Sequence, residues 1–204
     1  MRKRYRQHIN PLKMTSLVPR EPLSLPPGVE TIIELGCADA RFIIERARQY
    51  PGQLFVGLDI REEFLLEGRE RTDELGLNNV RLEVCNLLVD TPHLFEPGRI
   101  SCFLINFPDP WFKRRQRRRR WLDAGALEHL VRALCPGGQI FFQSDVWSLA
   151  VDALALFEAH PQLDNLVEEW RFCRENPFGV QSTREQICAK EMKQVWRAWF
   201  ARRS

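Results

Sequence analysis

The chain has 204 residues, of which 44% are apolar and 28% charged, with a formal net charge of +3. This length and composition fit a globular protein with one hydrophobic core. No apolar run approaches the roughly 20 residues of a membrane span, and no apolar signal core follows the basic N-terminus, so we expect a cytoplasmic protein.

The six cysteines form neither a C-x-x-C pair nor a Cys/His cluster with zinc spacing. Several lie in apolar, strand-like runs, so we expect reduced core residues and no metal site. Residues 1–28 are rich in Arg and Pro and lack helical or strand periodicity. We interpret them as a basic arm before a single domain at residues 29–204, with a disordered tail as the alternative.

The first predicted unit is a strand, a turn of small residues and a helix. Thr31–Leu35 is apolar, 36–40 are small residues, and 41–50 carry apolar side chains at helical spacing. Such a unit brings backbone N–H groups close to a cofactor. Only Gly36 is a glycine, so the G-x-G-x-x-G pattern is absent, which argues against NAD.

Polar residues end the next two predicted strands. Leu54–Asp59 ends in Asp59, whose carboxylate could accept both hydroxyls of a ribose or could cap the next predicted helix, 62–75. Val80–Asn86 ends in Asn86, which could bond an adenine edge or could be an ordinary loop residue.

The most informative stretch follows a fourth strand, Ile100–Phe107. Two prolines end that strand and place Asp109 on a stiff turn just past its carboxyl end. Trp111 and a basic run, 113–120, follow directly. Asp109, Trp111 and the basic run could respectively act on, stack against and bind the phosphates of a nucleic acid. The combination suggests an enzyme that acts on a nucleic-acid base. A structural turn with a solvated basic face is the alternative, and Trp111 could stack on a base or simply pack the turn.

The rest of the chain continues the alternation of helices and strands. We predict helices at 121–134 and 146–159, a break at 135–138, strands at 139–145, 166–173 and 195–200, and a long connection at 176–193. This order indicates an α/β fold: a doubly wound, Rossmann-like, seven-stranded and mostly parallel sheet with helices on both faces. Polar residues then follow five strands along one rim: Glu34, Asp59, Asn86, Asp109 and Asp145.

The sequence resembles a known family, the bacterial tRNA (guanine-N7)-methyltransferases, and in particular the cyanobacterial-type members of that family. These are class I enzymes that use S-adenosylmethionine. The most specific match is Phe107–Lys113 with the arginines behind it. Supporting matches are Glu34–Ala38, Gly57–Arg61, Phe142–Asp145, Val195–Arg197 and the arm segment Arg6–Leu12.

The resemblance implies a substrate, a cofactor and a role for each matching position. The substrate would be guanine 46 in the variable loop of tRNA, and the chain would be an RNA-binding monomer or homodimer. S-adenosylmethionine would be bound by Glu34, Gly36, Asp59, Asn86 and Asp109, with Asp109 also catalytic. Substrate-binding positions would be Lys113, Asp145 and a late motif represented here by Ser182 and Glu185.

The chain departs from the family pattern at a few positions. Ala38 and Ala40 replace glycines of the first turn, and because alanine resists positive φ we expect an altered turn or weaker cofactor binding. Leu87 replaces an acid, which leaves Asn86 as the candidate for the adenine contact. Two alternatives remain open: a methyltransferase that acts on exocyclic amines, and a non-catalytic RNA-binding relative.

Overall fold

The computed structural model describes residues 10–13, 21–111, 115 and 119–204. Its strands are β1 Thr31–Leu35, β2 Leu54–Asp59, β3 Val80–Val84, β4 Ile100–Asn106, β5 Leu134–Ser144, β6 Leu163–Asn165 and β7 Trp196–Arg202. Its α-helices are α1 Arg41–Gln49, α2 Glu62–Glu74, α3 Leu87–Leu94, α4 Ala124–Ala133, α5 Trp147–Glu158 and α6 Thr183–Lys190. A 3-10 turn, Pro11–Lys13, precedes them.

The strands form one seven-stranded sheet in the order β3-β2-β1-β4-β5-β7-β6. The first five strands pair in parallel, whereas β7 runs antiparallel to both of its neighbours, β5 and β6. The predicted mostly parallel, doubly wound sheet is therefore confirmed. Because strand order reverses between β1 and β4, a crevice opens at the carboxyl ends of these strands, where ligands bind in open α/β sheets.

Helices cover both faces of the sheet. On one face, Ile33 and Phe103 pack with buried side chains of α3, α4 and α5. On the other face, Ile32 and Phe141 pack with buried side chains of α1 and α2. This alternation places successive strand residues in two separate cores, as expected for a sheet that is buried on both sides. No helix within the described ranges is long and apolar enough to cross a membrane.

Several predicted elements need correction. The predicted strand at 166–173 is wrong: β6 is the short segment before it, and only Cys173 forms an isolated bridge, to Arg197. Leu166 and Val167 are exposed, and Trp170 has φ 59°, which ends any extended run. The predicted break at 135–138 instead lies within β5, where the register with β4 shifts between Ile100 and Cys102.

Two helices were missing from the sequence prediction. Helix α3 contains Pro92, and helix α6 lies inside the predicted connection and buries only Glu185 and Cys188. Neither helix therefore has a regular apolar stripe. The predicted helix at 121–134 begins later, because Asp123 caps α4 by accepting a hydrogen bond from the Ala126 N–H at 2.9 Å.

All six cysteines are free and four of them are buried, as predicted for reduced core residues.

Candidate functional site

A cleft opens at the carboxyl ends of the central strands. About 1120 Å³ of space lies between its walls when the part that is open to solvent is counted. Its walls come from the loops after β1, β2, β3 and β4 and from α5. The predicted site residues that line it are Gly36, Asp59, Asn86 and Asp109. The structure thus gathers three of the five rim candidates, Asp59, Asn86 and Asp109, into one cleft together with Gly36, whereas Glu34 and Asp145 do not line it.

The turn after β1 begins at Gly36, which lines the cleft. Gly36 has φ 84°, and a Cβ at this position would meet no atom within 4 Å. Ala38 and Ala40 have φ 50° and 56°, so the turn adopts the left-handed conformation although its residues are alanines. The resistance of alanine to positive φ therefore does not keep these two residues out of the left-handed region. Each alanine stores about 1–2 kcal/mol of strain that glycine would avoid.

Asp59 is 3% exposed and anchors that turn to the end of β2. Its Oδ2 accepts from the Ala38 N–H at 2.9 Å, and its Oδ1 accepts from the Arg61 N–H at 2.9 Å. The Arg61 guanidinium adds contacts of 3.0 Å to Oδ1 and 3.2 Å to Oδ2. Asp59 does not cap α2, whose first flanking residue is Arg61. A ribose that reached this carboxylate would have to displace the Arg61 side chain or share the oxygens with it.

Glu34 lies beneath the cleft, buried on β1. Its Oε1 accepts from Asn106 Nδ2 at 2.7 Å, whereas within the described part of the chain its Oε2 is buried and has no hydrogen-bond partner. The pKa of this carboxyl is raised to about 8, chiefly by burial; the hydrogen bond from Asn106 lowers it, and the negative charges of Asp39 and Asp59 contribute to the rise. Without a ligand this carboxyl is therefore mostly protonated at neutral pH, and a cationic ligand in the neighbouring cleft would favour its charged form by supplying a counter-charge.

A chain of buried polar side chains continues from Glu34 across the sheet. Gln143 Nε2 donates to Asn106 Oδ1 at 2.8 Å and to Glu185 Oε2 at 3.3 Å. Arg197 joins the far end, donating to Gln143 Oε1 at 3.2 Å and to Glu185 Oε1 at 2.7 Å. Asn176 donates to Glu185 Oε2 at 2.9 Å. This network links β1 to α6.

Asn86 lies at the opposite end of the cleft, as the N-cap of α3. Its Oδ1 accepts from the Leu88 N–H at 3.3 Å, and its backbone N–H donates to Asp90 Oδ2 at 2.8 Å. Its Nδ2 donates to the Pro11 carbonyl at 3.1 Å, and Pro11 also lines the cleft. The side chain therefore has structural partners on both sides.

The turn after β4 projects Asp109 into the cleft. Phe107 starts this turn with φ 51° and donates its N–H to the Gln143 carbonyl at 2.8 Å. Trp111 lines the cleft, and the Arg119 guanidinium carbon lies 5.0 Å from the centre of its ring. Arg120 donates to the Pro110 carbonyl and to Asp152 Oδ2, both at 2.9 Å, which ties the end of the basic run to α5. Lys113, Arg117 and Arg118 lie outside the described residues.

The remaining substrate-side candidates meet beside α6. Asp145 accepts from Arg184 Nη2 at 2.5 Å, so the end of β5 and α6 are joined. Ser182 is the N-cap of α6, accepting from the Glu185 N–H at 3.2 Å. Glu185 is 2% exposed and forms an ion pair with Arg197 instead of facing the cleft.

Sequence reasoning assigned no role to Arg184 or Arg197. Arg184 lies within the late motif, and Arg197 lies within the Val195–Arg197 match. The S-x-x-E spacing of Ser182 and Glu185 is typical of a helix start and could have predicted α6. Among the described residues, no three Asp, Glu, His or Cys side chains form a group that could hold a metal ion.

Comparisons with known proteins agree with this geometry. A family model described as a putative methyltransferase matches residues 29–198. The tRNA (guanine-N(7)-)-methyltransferase of Synechococcus sp. (strain JA-3-3Ab) is 34% identical over 209 residues, covering 98% of this chain and 86% of the relative. The enzyme of the same name from Nostoc sp. (strain PCC 7120) is 34% identical over 210 residues, covering 98% and 95%.

Solved structures show the same fold at low identity. The 16S rRNA methyltransferase KamB superposes with a TM-score of 0.59 and 11% identity, covering 86% of this chain and 88% of that chain. A SAM-dependent O-methyltransferase from Thermotoga maritima gives a TM-score of 0.56 and 14% identity, covering 86% and 60%. The sheet thus has the fold of class I S-adenosylmethionine-dependent methyltransferases. With the full-length sequence matches, the chain belongs to the tRNA (guanine-N7)-methyltransferase family.

Proposed function

We propose that this protein transfers a methyl group from S-adenosylmethionine to N7 of guanine 46 in the variable loop of tRNA. The observation that carries the proposal is the convergence of Gly36, Asp59 and Asp109 on one cleft at the carboxyl ends of β1, β2 and β4. Relatives that match almost the whole chain are named for the same reaction on tRNA guanine.

The residues around the cleft fit a cationic nucleoside cofactor. The backbone of the Gly36 turn is open to the cleft, and Asp59 lies where a ribose is held in folds of this type. Glu34 offers a buried oxygen that has no partner within the described residues. Asn86, which also lines the cleft, would contact the adenine edge. S-adenosylmethionine, when bound, supplies a methyl group on a positively charged sulfur.

The proposed methyl transfer requires no general acid or base from the protein. Guanine N7 carries an in-plane lone pair and no proton, so its attack on a methyl group needs no general base. The purine gains positive charge as the methyl arrives, and the Asp109 carboxylate at the cleft would stabilise that charge and orient the base. Asp109 would therefore act by electrostatics and positioning.

The RNA would be held mainly on one side of the cleft. Lys113 and the arginines behind it would bind phosphates, which gives affinity without sequence information. Asp145 would contact the substrate together with Arg184, its ion-pair partner. Ser182 and Glu185 would support the substrate side by capping α6 and by fixing it to Arg197.

The Asp109→Asn variant tests the catalytic assignment. We expect single-turnover methyl transfer at saturating cofactor and tRNA to slow by about 10²- to 10³-fold, the usual cost of removing one transition-state electrostatic contact. Asp73→Asn, an exposed position on α2, is the matched control and should react at the wild-type rate. Normal turnover by Asp109→Asn would contradict the role given to Asp109.

A further inference from the structure

One large aromatic side chain lies exposed beside the site. Trp147 begins α5 and is 54% exposed. Two rings hold its indole from behind: that of Trp196, with centroids 5.2 Å apart, and that of Phe172, with centroids 5.7 Å apart, each tilted by 57°. Both supporting rings are partly buried against the core that contains α5. The fold therefore fixes the orientation of an indole that it does not bury.

This indole lies between two parts of the proposed RNA-binding surface. Asp145, with its partner Arg184, directly follows β5 and lies two residues before Trp147. In the other direction, Asp152 of α5 binds Arg120, the last residue of the basic run. Asp152 lies five residues along the helix from Trp147, a rise of about 7–8 Å. Five residues also turn the helix by about 140°, so Asp152 and Trp147 lie on different faces of α5. RNA held by the basic run would meet this ring by passing over the start of α5 toward Asp145.

From this placement we infer that Trp147 is a stacking platform for an unpaired base of the RNA substrate. The inference rests on the proposed function and adds a second RNA contact outside the cleft. Proteins recognise RNA largely through unpaired bases stacked on aromatic side chains, and one such stack strengthens binding by about 5- to 100-fold. Trp111 is less suited to this role, because it lines the cleft and the Arg119 guanidinium lies over its ring.

The test compares Trp147→Ala and Trp147→Phe with a control at the far end of the same helix. The control residue is Trp170, which is 58% exposed and whose backbone N–H donates to Glu158, the last residue of α5. We expect Trp147→Ala to bind unmodified tRNA transcript about 5- to 100-fold more weakly. Trp147→Phe should stay within about threefold of wild type because a ring remains. Trp170→Ala should bind like wild type, and all variants should keep the cofactor affinity. Trp147→Ala should lower the thermal midpoint by a few degrees because it loses two ring contacts, whereas Trp147→Phe should keep most of them.

A fluorescence titration identifies the stacked ring directly. Part of the tryptophan quenching that tRNA causes in the wild type should be absent in Trp147→Phe and present in Trp170→Phe. Wild-type affinity in Trp147→Ala, or equal losses in Trp147→Ala and Trp170→Ala, would overturn the inference. A Trp147→Ala variant with altered sedimentation but unchanged tRNA binding would assign the patch to a protein contact instead. None of these readouts depends on methyl transfer, so a protein that binds tRNA without forming 7-methylguanosine would refute the proposed reaction alone.

Discussion

Replacing Glu34 with glutamine should stabilise the protein at alkaline pH while weakening its binding of the cofactor. Burial raises the pKa of Glu34 from an ordinary 4.5 to about 8, so the folded state holds this proton more tightly than the unfolded chain does. Stability from this group is complete below pH 4.5, falls as the pH rises, and is lost above pH 8. At about 1.36 kcal/mol per pH unit, the total loss is about 5 kcal/mol.

Glutamine has the same shape and no charge to bury. Its Oε1 can still accept from Asn106, and an amide replaces the Oε2 that has no partner within the described residues. We would measure urea unfolding of both proteins without cofactor at pH 5 and pH 8.5. The stability advantage of Glu34→Gln should be about 4 kcal/mol larger at the higher pH. Glu74→Gln, at an exposed position on α2, should show no such change.

The same variant should bind S-adenosylmethionine about 10- to 100-fold more weakly, because an amide cannot match the charge of a cationic ligand. Calorimetric titration at pH 8.5 would measure this loss. A stability difference that is equal at both pH values would refute the reasoning, since it would show that Glu34 does not take up a proton on folding.

Three other outcomes follow from the structure. Ala38→Gly should raise the free energy of unfolding by about 0.5–1 kcal/mol by relieving positive φ, whereas Ala47→Gly inside α1 should lower it by about 1 kcal/mol; urea unfolding of both variants checks the opposite signs. Arg197→Met should cost about 3–5 kcal/mol by leaving Glu185 buried and unpaired, and adding Glu185→Leu should recover much of that loss in a double-mutant cycle. Arg115→Ala, at an exposed position in the basic run, should reduce the salt-dependence slope of tRNA binding by about 1 without changing cofactor affinity, and a titration over several salt concentrations would detect an unchanged slope.

The sequence predicts the central sheet well because its strands are buried on both faces. β1 and β2 have the predicted bounds, since continuous apolar runs ended by small or acidic residues have few other structures available. The same reasoning placed Asp59, Asn86 and Asp109 on one rim, because the carboxyl ends of parallel strands share an edge. The strand bounds follow from the local apolar pattern, and the position of the rim follows from the rule that parallel strands end at the same edge of a sheet.

What the sequence did not predict depends on contacts between distant parts of the chain. The ion pair of Asp145 with Arg184 joins residues 39 positions apart, and the Glu34 network crosses from β1 to β7. Helix α6 has only two buried side chains, so its apolar pattern was too weak to identify it. The Arg61 side chain on Asp59 was also unforeseen, because a polar residue at a strand end does not reveal which partner it will take.

The most direct test of the proposed reaction is nucleoside analysis after methyl transfer from labelled S-adenosylmethionine to unmodified tRNA. Two transcripts are needed, one with guanine at variable-loop position 46 and one with adenine there. The proposed function predicts labelled 7-methylguanosine from the first transcript and none from the second. A labelled exocyclic-amine product, or 7-methylguanosine from both transcripts, would contradict it, and tRNA binding without any transfer would identify a non-catalytic member of the family.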